Sequence, residues 1–299
     1  MQNRVLVVGA AGRLGAAVVD AFGDRDVIAH TRASLDVTDA AAVYAAVARA
    51  APAVIVNAVA FNAVDEAEDR PLEALATNAF AVRTLARAAE TAGATLVHYG
   101  SDFVFDGTAS APYEEDAPPA PAGTYAVSKL LGEWFALDAP RSFVLRVESL
   151  FGGRWGWTGR RGSFDTIVDG LLQGRVVPVF VDRVVSPSYV HDVARATRYL
   201  VDSGAPPGLY HCVNSGYATW YEVAEEAARV LGVTPRLEPV TLESMRLKAR
   251  RPRFCALANR KLAVAGFEMP TWRDALRRWL AVRADGARRD TDTMDRIHG

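Results

Sequence analysis

The run Val5-Leu6-Val7-Val8 is short, apolar and mostly β-branched, and it passes at once into Gly9-Ala10-Ala11-Gly12-Arg13-Leu14-Gly15. Such a run reads as a strand buried on both faces. The stretch after it, GRLGAAVVDAFG, has helical apolar spacing. A glycine-rich turn between a strand and a helix leaves few folds open. It permits a tight turn and lets an anion approach the helix N-terminus, where free N–H groups and a partial positive charge favour phosphate. The pattern is G-x-x-G-x-x-G, not the commoner G-x-G-x-x-G. A turn that merely packs helix on strand is the competing reading, and the position after the first strand weighs against it.

The next segments continue the alternation. DVIAHTR, AVIVNAVA, ATLVHYGS and SFVLRVESL read as strands. DAAAVYAAVARAA and SKLLGEWFALDA read as helices, and PLEALATNAFAVRTLARAAETAG reads as one long amphipathic helix closing at Gly93. Strands alternating with helices predict α/β architecture, a Rossmann-type doubly wound parallel sheet with ligands at the carboxyl ends of its strands. With 299 residues, the chain suits one large domain or two of ordinary size. Residues 1–150 are expected to form the dinucleotide-binding domain, with 177–201 packing back onto it. Residues 151–283 are expected to form a smaller α/β substrate-binding lobe, and 284–299 a disordered tail. In that lobe GSFDTIVDGLLQGR, the end of YHCVNSGYATWYEVAEEAARVLG, and PTWRDALRRWLAVRA read as helices, and Trp220, Tyr221, Trp272 and Trp279 read as core.

A formal net charge of -1 gives no basis for nucleic-acid or anionic-membrane binding. No apolar run reaches membrane-spanning length, and the N-terminus lacks the pattern of a signal peptide. Cys212 and Cys255 are widely separated, as expected of buried reduced thiols in a cytoplasmic protein. No His, Cys and acid cluster has metal-ligand spacing, so no metal is expected.

The end of the second strand bears on cofactor choice. An acid there would bond a ribose 2′-hydroxyl, and an arginine would accept a 2′-phosphate. The strand ends His30-Thr31-Arg32, and Asp36 falls beyond it. Arg32 and Arg13 as phosphate contacts favour NADPH, with NADH the alternative; a plain surface charge is the other reading of each arginine.

Ser101 ends the fourth strand, and Tyr125 and Lys129 lie one turn apart on one face of the next helix. A phenol titrates near pH 10, too high for easy proton exchange at neutrality. A nearby ammonium would lower that value, and the tuned phenol could protonate a carbonyl oxygen as hydride reaches carbon. A serine hydroxyl opposite would orient the same oxygen. The Pro- and Gly-rich loop between would wall the substrate site.

GAAGRLG, LDVTD, VIVNAVAFNAVDEAE, SDFVFDG, YAVSKLLGE, SPSYVHDVA and RRPRFCALANRKL together resemble the extended short-chain dehydrogenase/reductases, and within them the dTDP-4-dehydrorhamnose reductase family. The resemblance covers Val5 to about Leu280. It implies NAD(P)H-dependent reduction of the 4-keto group of a sugar nucleotide. Ser101, Tyr125 and Lys129 match the catalytic residues, with Tyr125 as proton donor, and Gly9, Ala11, Gly12, Arg13, Leu14 and Gly15 the pyrophosphate loop. Asp36 and Val37 match positions near adenine, and Ala58, Val59 and Ala60 the backbone under the cofactor. Asp102, Val104, Phe105 and Ser149 would border the sugar with Ser101 and Tyr125.

A homodimer follows by analogy with the family. The chain departs from the family at Ser149, where a tryptophan usually follows a serine; Glu148 precedes it here, and Trp155 and Trp157 lie just beyond. A ketoreductase for another sugar or small carbonyl therefore stays open. So does a non-catalytic NADP-binding subunit like the β subunit of methionine adenosyltransferase. Arg160, Arg161, Arg250, Arg251 and Arg253 are candidate diphosphate contacts. His191 is read as structural, near a helix start.

Overall fold

The structure, a computed structural model, describes residues 3–153, 159 and 161–283. Trp155, Trp157, Arg160 and the expected tail lie outside the described residues. The first half runs β1 (Arg4–Val8), α1 (Arg13–Ala21), β2 (Asp26–His30), α2 (Ala40–Ala50), β3 (Val54–Asn57), α3 (Val64–Asp69), α4 (Pro71–Leu75), a π-helical turn (Ala76–Phe80), α5 (Ala81–Ala92), β4 (Thr95–Ser101), α6 (Thr124–Leu137) and β5 (Ser142–Val147). The second half runs β6 (Leu150–Phe151), α7 (Ser163–Leu172), β7 (Val176–Phe180), β8 (Val184–Val185), β9 (Ser188–Tyr189), α8 (Val190–Asp202), β10 (Gly208–His211), β11 (Ala218–Thr219), α9 (Trp220–Leu231), β12 (Arg236–Val240), α10 (Arg260–Val264) and a helix over 272–283.

Six strands form one sheet in the order β10-β5-β4-β3-β1-β2, and every pairing is parallel. Both faces are covered, which is why β1 alternates between two cores: Val5 and Val7 pack with α1 and α8, Leu6 and Val8 with α2 and α5. The chain leaves β1 toward β2 on one side and β3 on the other, so a crevice opens at their carboxyl ends.

The long helix expected over 71–93 is interrupted. A single π-turn at Ala76–Phe80 separates α4 from α5, and α3 precedes them where no helix was read. α5 does end at Gly93, in the left-handed conformation with φ 62°.

A separate core holds Phe151, Phe164, Trp220, Trp272 and Trp279, the three tryptophans buried as expected. Val177 and Val179 of β7 belong to this second core, while α8 returns to α1 and β10 extends the main sheet. Leu262 and Met269 join the first core as well, so the two halves interleave. Cys212 and Cys255 are free and buried. Among the described residues no helix is long and apolar enough to cross a membrane.

Candidate active site

The glycine loop lies at the crevice. Gly9 and Ala10 both donate backbone N–H groups to the His30 carbonyl, at 2.9 and 3.0 Å, which ties the loop to the end of β2. Gly9 has φ 83°, and a Cβ there would sit 2.8 Å from the Ala58 carbonyl carbon. A Cβ on Gly15 would sit 2.2 Å from the Gly9 carbonyl oxygen. Packing therefore demands both glycines. Gly12 is the N-cap of α1 and has no side chain to accept from the helix's first N–H groups, a fit to an anionic group approaching there. Ala11 is exposed beside it, while Leu14 is buried beneath.

Arg13, expected at the phosphate, instead donates from Nη2 to Asp165 Oδ2 of α7 at 2.5 Å, with its side chain largely covered. Arg32 is exposed after β2. Asp36 accepts from the Thr38 backbone N–H and hydroxyl at 2.9 and 2.7 Å, bonds that hold its carboxyl below the usual range, and Val37 is buried.

Beyond β3, Ala58 N–H donates to the Val8 carbonyl at 2.9 Å, Val59 N–H to Asn57 Oδ1 at 3.1 Å, and Ala60 is exposed. The π-turn supplies Asn78, 1% exposed, which accepts from Phe61 N–H at 2.8 Å and donates to Ser128 Oγ at 3.0 Å. Ser128 in turn donates to the Tyr125 carbonyl at 2.7 Å. A buried amide thus links the segment after β3 to the helix bearing Tyr125. π-turns inside helices are frequent at functional sites; α6 comes so close here that a Cβ on Gly132 would lie 2.0 Å from the Asn78 carbonyl oxygen.

Ser101 closes β4, where its hydroxyl donates to Asp102 Oδ1 at 3.1 Å and accepts from Phe103 N–H at 3.2 Å. The Tyr125 ring stands edge-on to Phe103, centroids 5.3 Å apart at 88°. Burial pushes the phenol up to about 12, against a hydrogen bond with Ser101 that pulls it down. Lys129 is 3% exposed, and its ammonium donates to the Tyr99 carbonyl at 2.6 Å. Burial brings it down to about 8, opposed by Glu133. Lysine-driven lowering of the phenol, expected from the sequence, is therefore not what these residues produce. The phenol stays protonated at neutral pH, the state a proton donor needs.

Behind Ser101, Asp102 and Glu148 are buried beside Cys255 and Arg183. The guanidiniums of Arg183 and Arg251 lie 5.4 and 5.7 Å from the Phe103 ring. Arg251 is tied to Asp65 at 2.9 Å. Val104 and Phe105, expected at the sugar, are instead 0% and 1% exposed in a small apolar cluster with Leu130, Val213 and Leu257. They stiffen the floor under the site and offer no surface to a ligand. Ser149 takes an unusual φ of 43°, and such strain clusters at functional sites.

Of the other arginines, Arg161 pairs with Asp169, Arg253 lies 3.9 Å from Asp182, and Arg250 is exposed. His191 sits in the first turn of α8, its ring 5.1 Å from that of Tyr189. Arg183 was missed in the sequence, where a lone arginine in a short loop gives no signal. Glu68, which holds the start of α6, was missed likewise.

A parallel sheet with a glycine loop at its switch point, and a Ser, Tyr and Lys gathered at the end of β4, defines the class of dinucleotide-dependent carbonyl oxidoreductases. Residues 3–284 match the RmlD substrate binding domain family, and the chain belongs to it. A dTDP-4-dehydrorhamnose reductase of Streptomyces griseus is 36% identical over 284 residues, covering 91% of each chain. A probable dTDP-4,6-dihydroxy-2-methyloxan-3-one 4-ketoreductase of Streptomyces antibioticus is 37% identical, covering 92% of this chain and 93% of that one. The crystal structure of dTDP-4-dehydrorhamnose reductase from Bacillus anthracis in complex with NADP superposes with a TM-score of 0.88 at 28% identity, covering 94% of this chain and 99% of that one.

Proposed function

We propose that this protein reduces the 4-keto group of a dTDP-linked 6-deoxysugar, with dTDP-4-dehydro-L-rhamnose as substrate and NADPH as reductant. The observation that carries the reading is the convergence of Ser101, Tyr125 and Lys129 at the end of β4, with Tyr125 kept protonated by burial. Its relative of 36% identity, named dTDP-4-dehydrorhamnose reductase, supports it, and the relative of 37% identity is named a probable 4-ketoreductase of a dTDP-sugar.

The Gly9–Gly15 loop and the uncapped start of α1 would hold the pyrophosphate, and Ala58 to Ala60 would pass beneath the cofactor. When bound, NADPH supplies hydride to the sugar's C4. Tyr125 gives its proton to the C4 oxygen as negative charge develops there, and the Ser101 hydroxyl holds that oxygen in line. Lys129, fixed by the Tyr99 carbonyl, keeps a positive charge beneath the site while protonated.

A second reading has its own support. Ser149 stands where the reductases it resembles usually have a tryptophan at the sugar, and the Streptomyces antibioticus relative is named for a different dTDP-sugar. The sugar would then be another 4-keto-6-deoxyhexose. Consumption of NADPH with dTDP-4-dehydrorhamnose, beside a panel of other dTDP-4-keto sugars, tests both. Turnover confined to dTDP-4-dehydrorhamnose supports the first reading; turnover of another sugar alone supports the second. Tight NADPH binding without turnover of any would overturn both.

A further inference from the structure

Asp102, Glu148 and Arg183 each carry one buried polar atom without a hydrogen-bond partner: Oδ2, Oε1 and Nε. Asp102 and Glu148 are 3% and 2% exposed, and a carboxyl oxygen of each lies within 4.8 Å of the other and of Cys255 Sγ. Such spacing would suit a cation, but Arg183 already sets a positive charge against both carboxyls. One guanidinium balances one carboxylate. A second ionised carboxylate in the same dry space would stand uncompensated, and close carboxyl pairs resolve this by keeping a proton.

We propose that Asp102 and Glu148 share one proton, and that this proton decides which way the Ser101 hydroxyl points. The proposal rests on the reading of Ser101 as the group that orients the substrate oxygen. A hydroxyl has one proton to give and two lone pairs to accept with. One lone pair of Ser101 takes the Phe103 N–H. With the pair's one proton on Asp102 Oδ1 and Glu148 ionised against Arg183, Asp102 donates to the other lone pair, and the Ser101 proton turns to Tyr125 and the substrate oxygen. With Asp102 ionised, Ser101 gives its proton to Asp102 Oδ1, 3.1 Å away, and the substrate oxygen loses a donor.

The chemistry of the surroundings agrees. Burial is the first cause that raises each carboxyl, and a charge on Asp102 raises Glu148 as well, so the retained proton belongs to the pair. Glu148 Oε2 is occupied by the Ser186 N–H at 2.6 Å, which leaves Oε1 as its unpartnered oxygen. The other groups that face the pair are Arg183 from the turn before β8, Cys255, whose thiol donates to the Pro252 carbonyl, and Tyr125 from α6. Glu133 reaches Ser101 by accepting its backbone N–H at 3.2 Å, and Arg251 lies across Phe103.

Asp102 and Glu148 are thus positioning residues, and a pH profile separates that role from a merely structural one. Wild-type kcat should fall on the alkaline side as the shared proton leaves. In Glu148→Gln, Asp102 ionises alone against Arg183, so that limb should move to lower pH by about one unit or more. In Asp102→Asn, the carboxamide donates to Ser101 at every pH, so the pair's share of the alkaline limb should vanish and only that of Lys129, brought down to about 8, should remain. The wild-type limb unmoved in both variants would overturn the proposal.

Infrared difference spectroscopy needs neither turnover nor a folded variant for its first answer. The wild type at neutral pH should show a deuterium-sensitive band of a protonated carboxyl, lost in either variant. Its absence from the wild type, or its survival in both variants, would sink the idea. The band also keeps this inference separate from the functional reading, which fails only if no sugar nucleotide is reduced.

Discussion

Glu68 of α3 holds the first turn of α6 at Thr124, accepting the backbone N–H at 2.8 Å and the hydroxyl at 3.0 Å. Gly123, just before, has φ 113° and no side chain to cap the helix, so the acid comes from α3, packed beside α6. Tyr125 follows directly. Glu68→Ala should cost about 1 kcal/mol of stability, as a lost helix cap does. It should cost more in chemistry, with kcat down about tenfold as the phenol loses its register. Glu68→Gln, which keeps an acceptor, should recover most of kcat. Equal kcat for all three proteins would show that the clasp does not position Tyr125.

Tyr125→Phe should lower kcat/KM by roughly 10²–10⁴-fold, the usual weight of a positioned proton donor. The ring contact with Phe103 persists, so the melting temperature should hardly move. Steady-state kinetics beside a melting curve check both halves.

Arg32 is the exposed cation at the end of β2, and Arg13 is already engaged by Asp165. Arg32→Ala should weaken NADPH by about tenfold, ~1.4 kcal/mol, and leave NADH unchanged. Dissociation constants from calorimetry decide it. An equal loss for both nucleotides would remove Arg32 from the 2′-phosphate.

A methyl group at Gly15 would strike the Gly9 carbonyl oxygen, a backbone atom that cannot swing aside. Gly15→Ala should cost about 1–3 kcal/mol, the range for overpacking a tight contact. Denaturant unfolding of the variant measures it directly.

His211 is 0% exposed: its Nδ1 faces the Ala258 carbonyl at 3.0 Å, and Arg146 lies 3.4 Å from Nε2. That is a neutral imidazole donating from Nδ1. Burial, with Arg146 next, brings it down to about 3 from 6.5. Because the folded value is depressed, the unfolded chain binds the extra proton first. The stability is present above pH 6.5 and lost as pH falls toward 3, by about 1.4 kcal/mol per pH unit. His211→Asn should flatten that slope, and the wild-type minus variant difference in unfolding free energy should shrink between about pH 7 and about pH 4. A difference independent of pH would assign the acid loss to other groups.

The alternation of strands and helices was legible because each is a local pattern: β1 is an unbroken apolar run, and α5 ends at a glycine. The π-turn at Ala76–Phe80 was not, since one added residue hardly disturbs apolar spacing over a helix of this length. Ser101, Tyr125 and Lys129 could be gathered from one strand end and one helix face. The electrostatics around them could not. Arg183, Cys255 and Glu148 approach Asp102 from distant parts of the chain, and Lys129 turns to a carbonyl of β4. Val104 and Phe105 illustrate the opposite error, where neighbours of a site residue in sequence serve the core instead. The sequence showed Arg13 beside the phosphate loop but not Asp165, far along the chain, which occupies it.

The π-turn makes the helix pair around it intolerant of length changes. The π-turn holds one residue more than an α-helical turn, so removing one between Ala76 and Phe80 would let α4 run into α5 as a plain α-helix. Asn78 would then face away from Phe61 and Ser128 together. A substitution scan here would report on one side chain at a time. A deletion scan would uncouple the rim of the nucleotide crevice from the helix that carries the proton donor in a single step.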